Sequence, residues 1–129
     1  MNVSSIFMDS SAWIHYFYGS DTYVERLLQE AHYVYSSPLS LFEIKRKLLQ
    51  RKISATIIQS IMTYIKEKSI FVELKLSLME DAATVSHQQA LSAIDAIMYA
   101  SAISKKALLI TSDTDFSGCE HVHMLKKKS

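Results

Sequence analysis

Glycine, proline and cysteine are nearly absent from this chain of 129 residues, which holds two, one and one of them. So few breakers exclude long loops, linkers and extended disorder. Cys119 alone cannot form an internal disulfide, and it fits a reducing, cytoplasmic setting. No apolar run reaches the roughly 18 residues that a membrane span requires. The N-terminus has no basic stretch leading into an apolar one, so no signal peptide is expected. With 49% apolar residues the chain has enough material for a real core. The expectation is one soluble domain over residues 1–129, with a flexible basic tail at 126–129.

Charge of one sign is lacking too: 14 Lys and Arg stand against 13 Asp and Glu, for a net charge of +1. What the chain does have is alternation. Apolar or β-branched runs at residues 3–8, 32–36, 70–74, 107–111 and 122–125 predict strands. Between them lie helical patterns at 10–17, 22–30 and from Ser37-Pro38 to about 51, the last with serine at the cap and proline at the first helical position. Ser54 caps a further pattern that carries Ile57, Ile58, Ile61 and Ile65 at helical spacing. Ser77-Leu78-Met79-Glu80 and Ser92-Ala93-Ile94-Asp95 both match a capping box, opening helices towards 89 and 104. Strands that alternate with helices, and are apolar without in/out alternation, imply an α/β fold of three layers. Its centre is a parallel sheet of four to five strands with helices on both faces.

Four acids fall where strand gives way to helix. Asp9 ends the first strand, Glu43 lies one turn into the helix that starts at Ser37-Pro38, Asp95 opens the helix after Ser92, and Asp113 follows the fourth strand. Each has an ordinary explanation. Glu43 and Asp95 stand three residues after Ser40 and Ser92, as capping partners do, and acids suit the positive end of a helix. Asp113 sits in a turn-forming Ser-Asp-Thr-Asp run. Asp9, at the end of a central strand, has the least structural reason to be acidic. The alternating topology puts all four on one rim, outside the carboxyl ends of the strands, where such sheets bind ligands. Setting them aside leaves nine acids against 14 basic residues, an acidic hole in a mildly basic surface that suits a metal facing a phosphate polymer.

The flanking residues resemble a known family. Met8-Asp9-Ser10-Ser11, Leu41-Phe42-Glu43, Asp95-Ala96-Ile97-Met98-Tyr99-Ala100-Ser101-Ala102 and Thr111-Ser112-Asp113-Thr114-Asp115-Phe116 are similar, in order and spacing, to the four acidic motifs of PIN-domain nucleases. The length resembles the toxin ribonucleases of VapC type. The resemblance implies a PIN-like fold and an endoribonuclease dependent on Mg²⁺ or Mn²⁺, homodimeric and restrained by a small antitoxin. It makes Asp9, Glu43, Asp95 and Asp113 the metal-binding, catalytic acids. Asp9 and Asp95 are expected as the most direct ligands, with Glu43 and Asp113 acting through water or a second ion. Ser11 takes the small polar position of the first motif. Thr111 takes the hydroxyl position of the fourth, and Asp115 that of a less essential supporting acid. Two alternatives stay open: a nuclease of RNA processing, or a PIN module that binds RNA or protein without cutting.

Other readings are weaker. Of the cations Lys45, Arg46, Lys47, Arg51 and Lys52 that follow Glu43, Lys45, Arg46 and Arg51 are the candidates for RNA phosphates, although Lys45 and Arg46 cannot share a helix face. Tyr16, Phe17 and Tyr18 are expected to pack rather than stack on bases. Cys119, His121 and His123 are spaced too closely for an ordinary zinc site. Apolar faces around Trp13, Tyr16, Tyr23, Ile57 and Ile61 are candidate partner surfaces, or core. A dehalogenase-type phosphatase would need an acid where Ser11 stands. A receiver domain would need one at the end of the third strand, which reads Val72-Glu73-Leu74-Lys75.

Overall fold

A computed structural model of the chain describes residues 4–19 and 22–126. The start of the expected first strand and most of the expected basic tail lie outside them. Five strands, β1 Ser5–Met8, β2 Tyr33–Ser36, β3 Ile70–Phe71, β4 Leu108–Thr111 and β5 Val122–Met124, form one sheet in the order β3-β2-β1-β4-β5. Every neighbouring pair is parallel. Six helices complete the fold: α1 Ser10–Tyr18, α2 Thr22–Glu30, α3 Pro38–Gln50, α4 Ala55–Lys68, α5 Leu76–Gln89 and α6 Ala93–Ser104. This is the α/β architecture that the alternation predicts. No helix among the described residues is long and apolar enough to cross a membrane.

The absence of in/out alternation has a direct cause. Ile6 and Met8 of β1 face one core, built with Trp13, Leu28, Ile44, Leu48 and Ile65 of α1–α4. Phe7, between them, faces a second core with Leu78, Ala82, Ala96 and Met98 of α5 and α6. Successive side chains point to opposite faces of a strand, and here both faces are dry. Register carries the pattern into β4: Met8 lies beside Ile110, and Phe7 beside Leu109. The indole N–H of Trp13 donates to Ser36 Oγ at 2.9 Å, and Ser36 Oγ lies 2.8 Å from Ser69 Oγ. That chain ties α1 to the end of β2.

Local chemistry sets most helix starts. Ser37, Ser54 and Ser92 each cap a helix, accepting from the amides of Leu39, Ile57 and Asp95. Two boundaries differ from expectation. The third strand stops at Phe71 rather than 74, because β3 is an edge strand paired only with β2. Val72 adds one more bond to Ser36, and a turn bond from the Lys75 amide to the Glu73 carbonyl then closes the chain. The cap of α5 therefore falls on Lys75, without a side-chain bond, and Ser77 lies inside the first turn.

The sheet order reverses at its centre. From β1 the chain fills positions β2 and β3 on one side, then crosses to β4 and β5 on the other. The crevice between the carboxyl ends of β1 and β4 is where such a fold places a ligand.

Candidate active site

Asp9 follows β1 directly, and the α1 helix begins one residue later. Its carboxylate accepts from the Ala12 amide at 2.8 Å, making it the N-cap of α1. The acid thus has a structural role that its position at a strand end did not suggest. Ser11 Oγ donates to the same oxygen at 2.7 Å. Ser11 has one hydroxyl proton, and this bond uses it. Its oxygen then accepts from the Ser112 amide at 2.9 Å and faces Thr111 Oγ1 at 3.1 Å. The Thr111 proton is left for Ser11 or Asp9, while its oxygen accepts from the Asp113 amide at 2.9 Å. Two hydroxyls therefore lock the end of β1 to the end of β4.

Asp113 leaves β4 and caps a short 3₁₀ turn, Thr114–Phe116, by accepting from the Asp115 amide at 2.9 Å. That turn folds Asp115 back beside Asp113. With Asp95 at the third position of α6, these acids form a group whose ligand oxygens lie within 4.8 Å of one another. It is the one such group of His, Cys, Asp or Glu side chains among the described residues, so Cys119, His121 and His123 assemble no site. His123 instead packs its ring on Tyr23.

Glu43 enters from the opposite wall. It lies in the second turn of α3, six residues past the Ser37 cap, so it is not the capping partner of Ser40. Ser10 Oγ donates to Glu43 Oε1 at 2.7 Å and pins it across the crevice. Asp9, Glu43, Asp95 and Asp113 line one cleft of about 210 Å³. Asp115 belongs to the carboxylate group at its edge.

The electrostatics follow from burial. Asp9 is raised to about 6, chiefly because it is buried, and further by the charge of Asp113; bonds from Thr111, Ser11 and Ala12 oppose the shift. Asp95 is also raised by burial, then by Asp113, with smaller repulsion from Asp115 and Glu43 and an opposing bond from Ser92. Carboxylates that repel one another in a partly dry cleft are relieved by a cation. The donors are all hard oxygens, the set that Mg²⁺ or Mn²⁺ takes.

Of the cations expected near the acids, Arg46 lines the cleft, while its guanidinium carbon also lies 5.2 Å from the centre of the Phe42 ring. Arg51 lines the adjoining groove. Lys45 turns into a different hollow, between α3 and α4. Lys47, named with the other cations after Glu43 but not chosen as a contact, lines both the cleft and the groove. Its position four residues after Glu43 was the available signal, since that spacing shares a helix face. Ser10 was missed as well; only its place beside Asp9 pointed to it.

A sequence model of the PIN domain matches residues 6–120. No curated protein matches the chain. Among solved structures, the chain is similar to a toxin-antitoxin complex from Klebsiella pneumoniae, at 18% identity and a TM-score of 0.73, over 93% of this chain and 97% of that one. It is similar to the Mycobacterium tuberculosis VapC20 toxin, described as cleaving the sarcin-ricin loop, at 21% identity and a TM-score of 0.70, over 90% and 95% of the two chains. VapBC2 from Rickettsia felis, bound to a fragment of promoter DNA, gives 13% and 0.70, over 93% and 96%. At these identities the likeness is one of fold.

Proposed function

The chain belongs to the PIN-domain family, and from that premise we propose that it is a divalent-metal-dependent endoribonuclease, the toxin of a type II toxin–antitoxin pair. The observation that carries this reading is the convergence of Asp9, Glu43, Asp95 and Asp113 on one cleft at the sheet's topological switch. Asp95, Asp113 and Asp115 offer the tightest group of oxygens for the ion, with Asp9 and Glu43 completing the wall. This gives Asp115 a larger part than its motif position implied.

Mg²⁺ or Mn²⁺ held there would lower the pKa of a bound water and neutralise charge on the phosphorane. The chain's own residues do the rest. Ser10 fixes Glu43, and Ser11 and Thr111 fix Asp9, so the carboxylates need little reorganisation. Arg46 and Lys47 add positive charge to the lining of the same cleft, suited to a phosphodiester.

Support for a toxin rather than an RNA-processing enzyme comes from the structural neighbours, two of which are described as toxin–antitoxin or toxin proteins. A protein partner is supported by the exposed Phe42 and Leu49, at 60% and 57%, beside an apolar hollow between α3 and α4. Trp13 and Ile61, considered as partner surface from sequence, are buried instead. We assign a cytoplasmic location and a homodimer to the same reading; light scattering on the purified chain reads the dimer directly.

Purified protein tests the activity. A panel of single-stranded RNAs should be cleaved in Mg²⁺ or Mn²⁺, and cleavage should stop with EDTA or with Asp95→Asn. Cleavage that survives both would sink the proposal. Growth arrest on expression, relieved by the product of an adjacent small reading frame, separates toxin from processing enzyme.

A further inference from the structure

A second, more open groove of about 610 Å³ runs on from the acidic cleft between α1 and α3. The two share Ser11, Ile14, Lys47 and Asp113, so they form one continuous channel. One wall is a stripe of α1 at residues 11, 14, 15 and 18, the spacing of a single helix face. The other is the α3 row Glu43, Lys47, Arg51, at steps of four, which places Arg51 about 12 Å along the helix axis from Glu43. Walking out of the cleft, the wall thus changes from acid to base.

Tyr18 also lines the groove. Trp13, Tyr16 and Phe17, the other aromatics of α1, pack with Tyr64 in an edge-and-stack cluster. Tyr18 does not join them: it is 50% exposed and lines the groove. Packing therefore explains three of the four aromatics and leaves this one turned towards solvent, on the groove that Lys47 and Arg51 also line. Gly19 follows it because a side chain there would run into the His15 carbonyl, where α1 ends.

We infer that this groove seats the nucleotides next to the scissile phosphate of a single-stranded RNA, with Lys47 and Arg51 on phosphates and Tyr18 stacked on an unpaired base. The identity of the strand rests on the ribonuclease reading; the groove itself does not. Cations that track a backbone beside an aromatic platform are what single strands need. A base within a duplex cannot reach such a platform.

The experiment is anisotropy with a fluorescein-labelled single-stranded RNA oligonucleotide, on Asp95→Asn protein so that cutting does not interfere. Tyr18→Ala and Arg51→Ala should each weaken binding about tenfold, and Tyr18→Phe should keep it. Arg51→Ala should also flatten the plot of log affinity against log salt by about 0.7. Lys105→Ala, at the C-terminal end of α6 and outside the lining of both cleft and groove, should change nothing. Unchanged binding in both Tyr18→Ala and Arg51→Ala overturns the inference, as does a Phe variant as weak as Ala, or no binding at all. Binding that depends on Tyr18, together with a wild-type chain that cuts no RNA in Mg²⁺ or Mn²⁺, leaves the groove standing and removes the ribonuclease reading.

Discussion

Asp9 caps α1 with the same carboxylate that lines the cleft, and the two roles respond differently to substitution. Its pKa is about 6 in the folded chain against an ordinary 3.8. The folded state therefore holds this proton more tightly, and the stability it lends is fully present below about 3.8 and lost as the pH rises through about 6. Without metal, wild type should lose up to roughly 3 kcal/mol relative to Asp9→Asn between pH 3.5 and pH 7.5, read by urea unfolding at the two values. Asparagine still caps the helix; alanine does not. At pH 7.5 Asp9→Ala should be less stable than Asp9→Asn by about 1 kcal/mol, and equal stabilities would mean the cap contributes nothing. Ser10 acts on its neighbour across the cleft. Ser10→Ala frees Glu43 and should lower kcat/KM about tenfold with little change in melting temperature. A variant of undiminished activity would show that Glu43 needs no anchor.

Among the elements, α1 joins core and site, since Trp13 packs under the sheet while Ser11 and Tyr18 face the channel. Trp13→Ala should cost about 3–5 kcal/mol in chemical denaturation; a loss under 1 kcal/mol would contradict its place at the centre of that core. The same helix shows what sequence reveals and what it hides. Starts at Ser37, Ser54 and Ser92 were legible because capping is chemistry between near neighbours. The apolar runs of β1 and β4 were legible because a strand dry on both faces has no other way to read. The end of β3 was not legible, since an edge strand stops where its one partner stops pairing. Neither was the cap of α1: Asp9 looked too far into a strand to serve a helix. The placement of Lys47 and Tyr18 beside the acids was hidden for another reason. Periodicity tells which residues share a face, but which face borders the acids depends on how α1 and α3 pack against each other.

Across the whole molecule, the order β3-β2-β1-β4-β5 does what no local signal does: it brings residues more than a hundred positions apart, Ser11 and Ser112, into one hydrogen-bonded rim. The motifs named the four acids; their convergence needed the topology, and the turn that brings Asp115 beside Asp113 needed coordinates. A cation that binds only the folded chain stabilises it by mass action, about 2.7 kcal/mol at a hundredfold excess over Kd. Melting temperature should therefore rise with Mn²⁺, and Asp113→Asn should suppress that rise. If acids from separate elements hold one ion, Mn²⁺ titration followed by electron paramagnetic resonance detects it without recourse to activity. Wild type should take up Mn²⁺ from solution, and Asp95→Asn on α6 and Asp113→Asn after β4 should each weaken uptake at least tenfold. Undiminished Mn²⁺ binding in both variants would mean that these acids do not hold the ion.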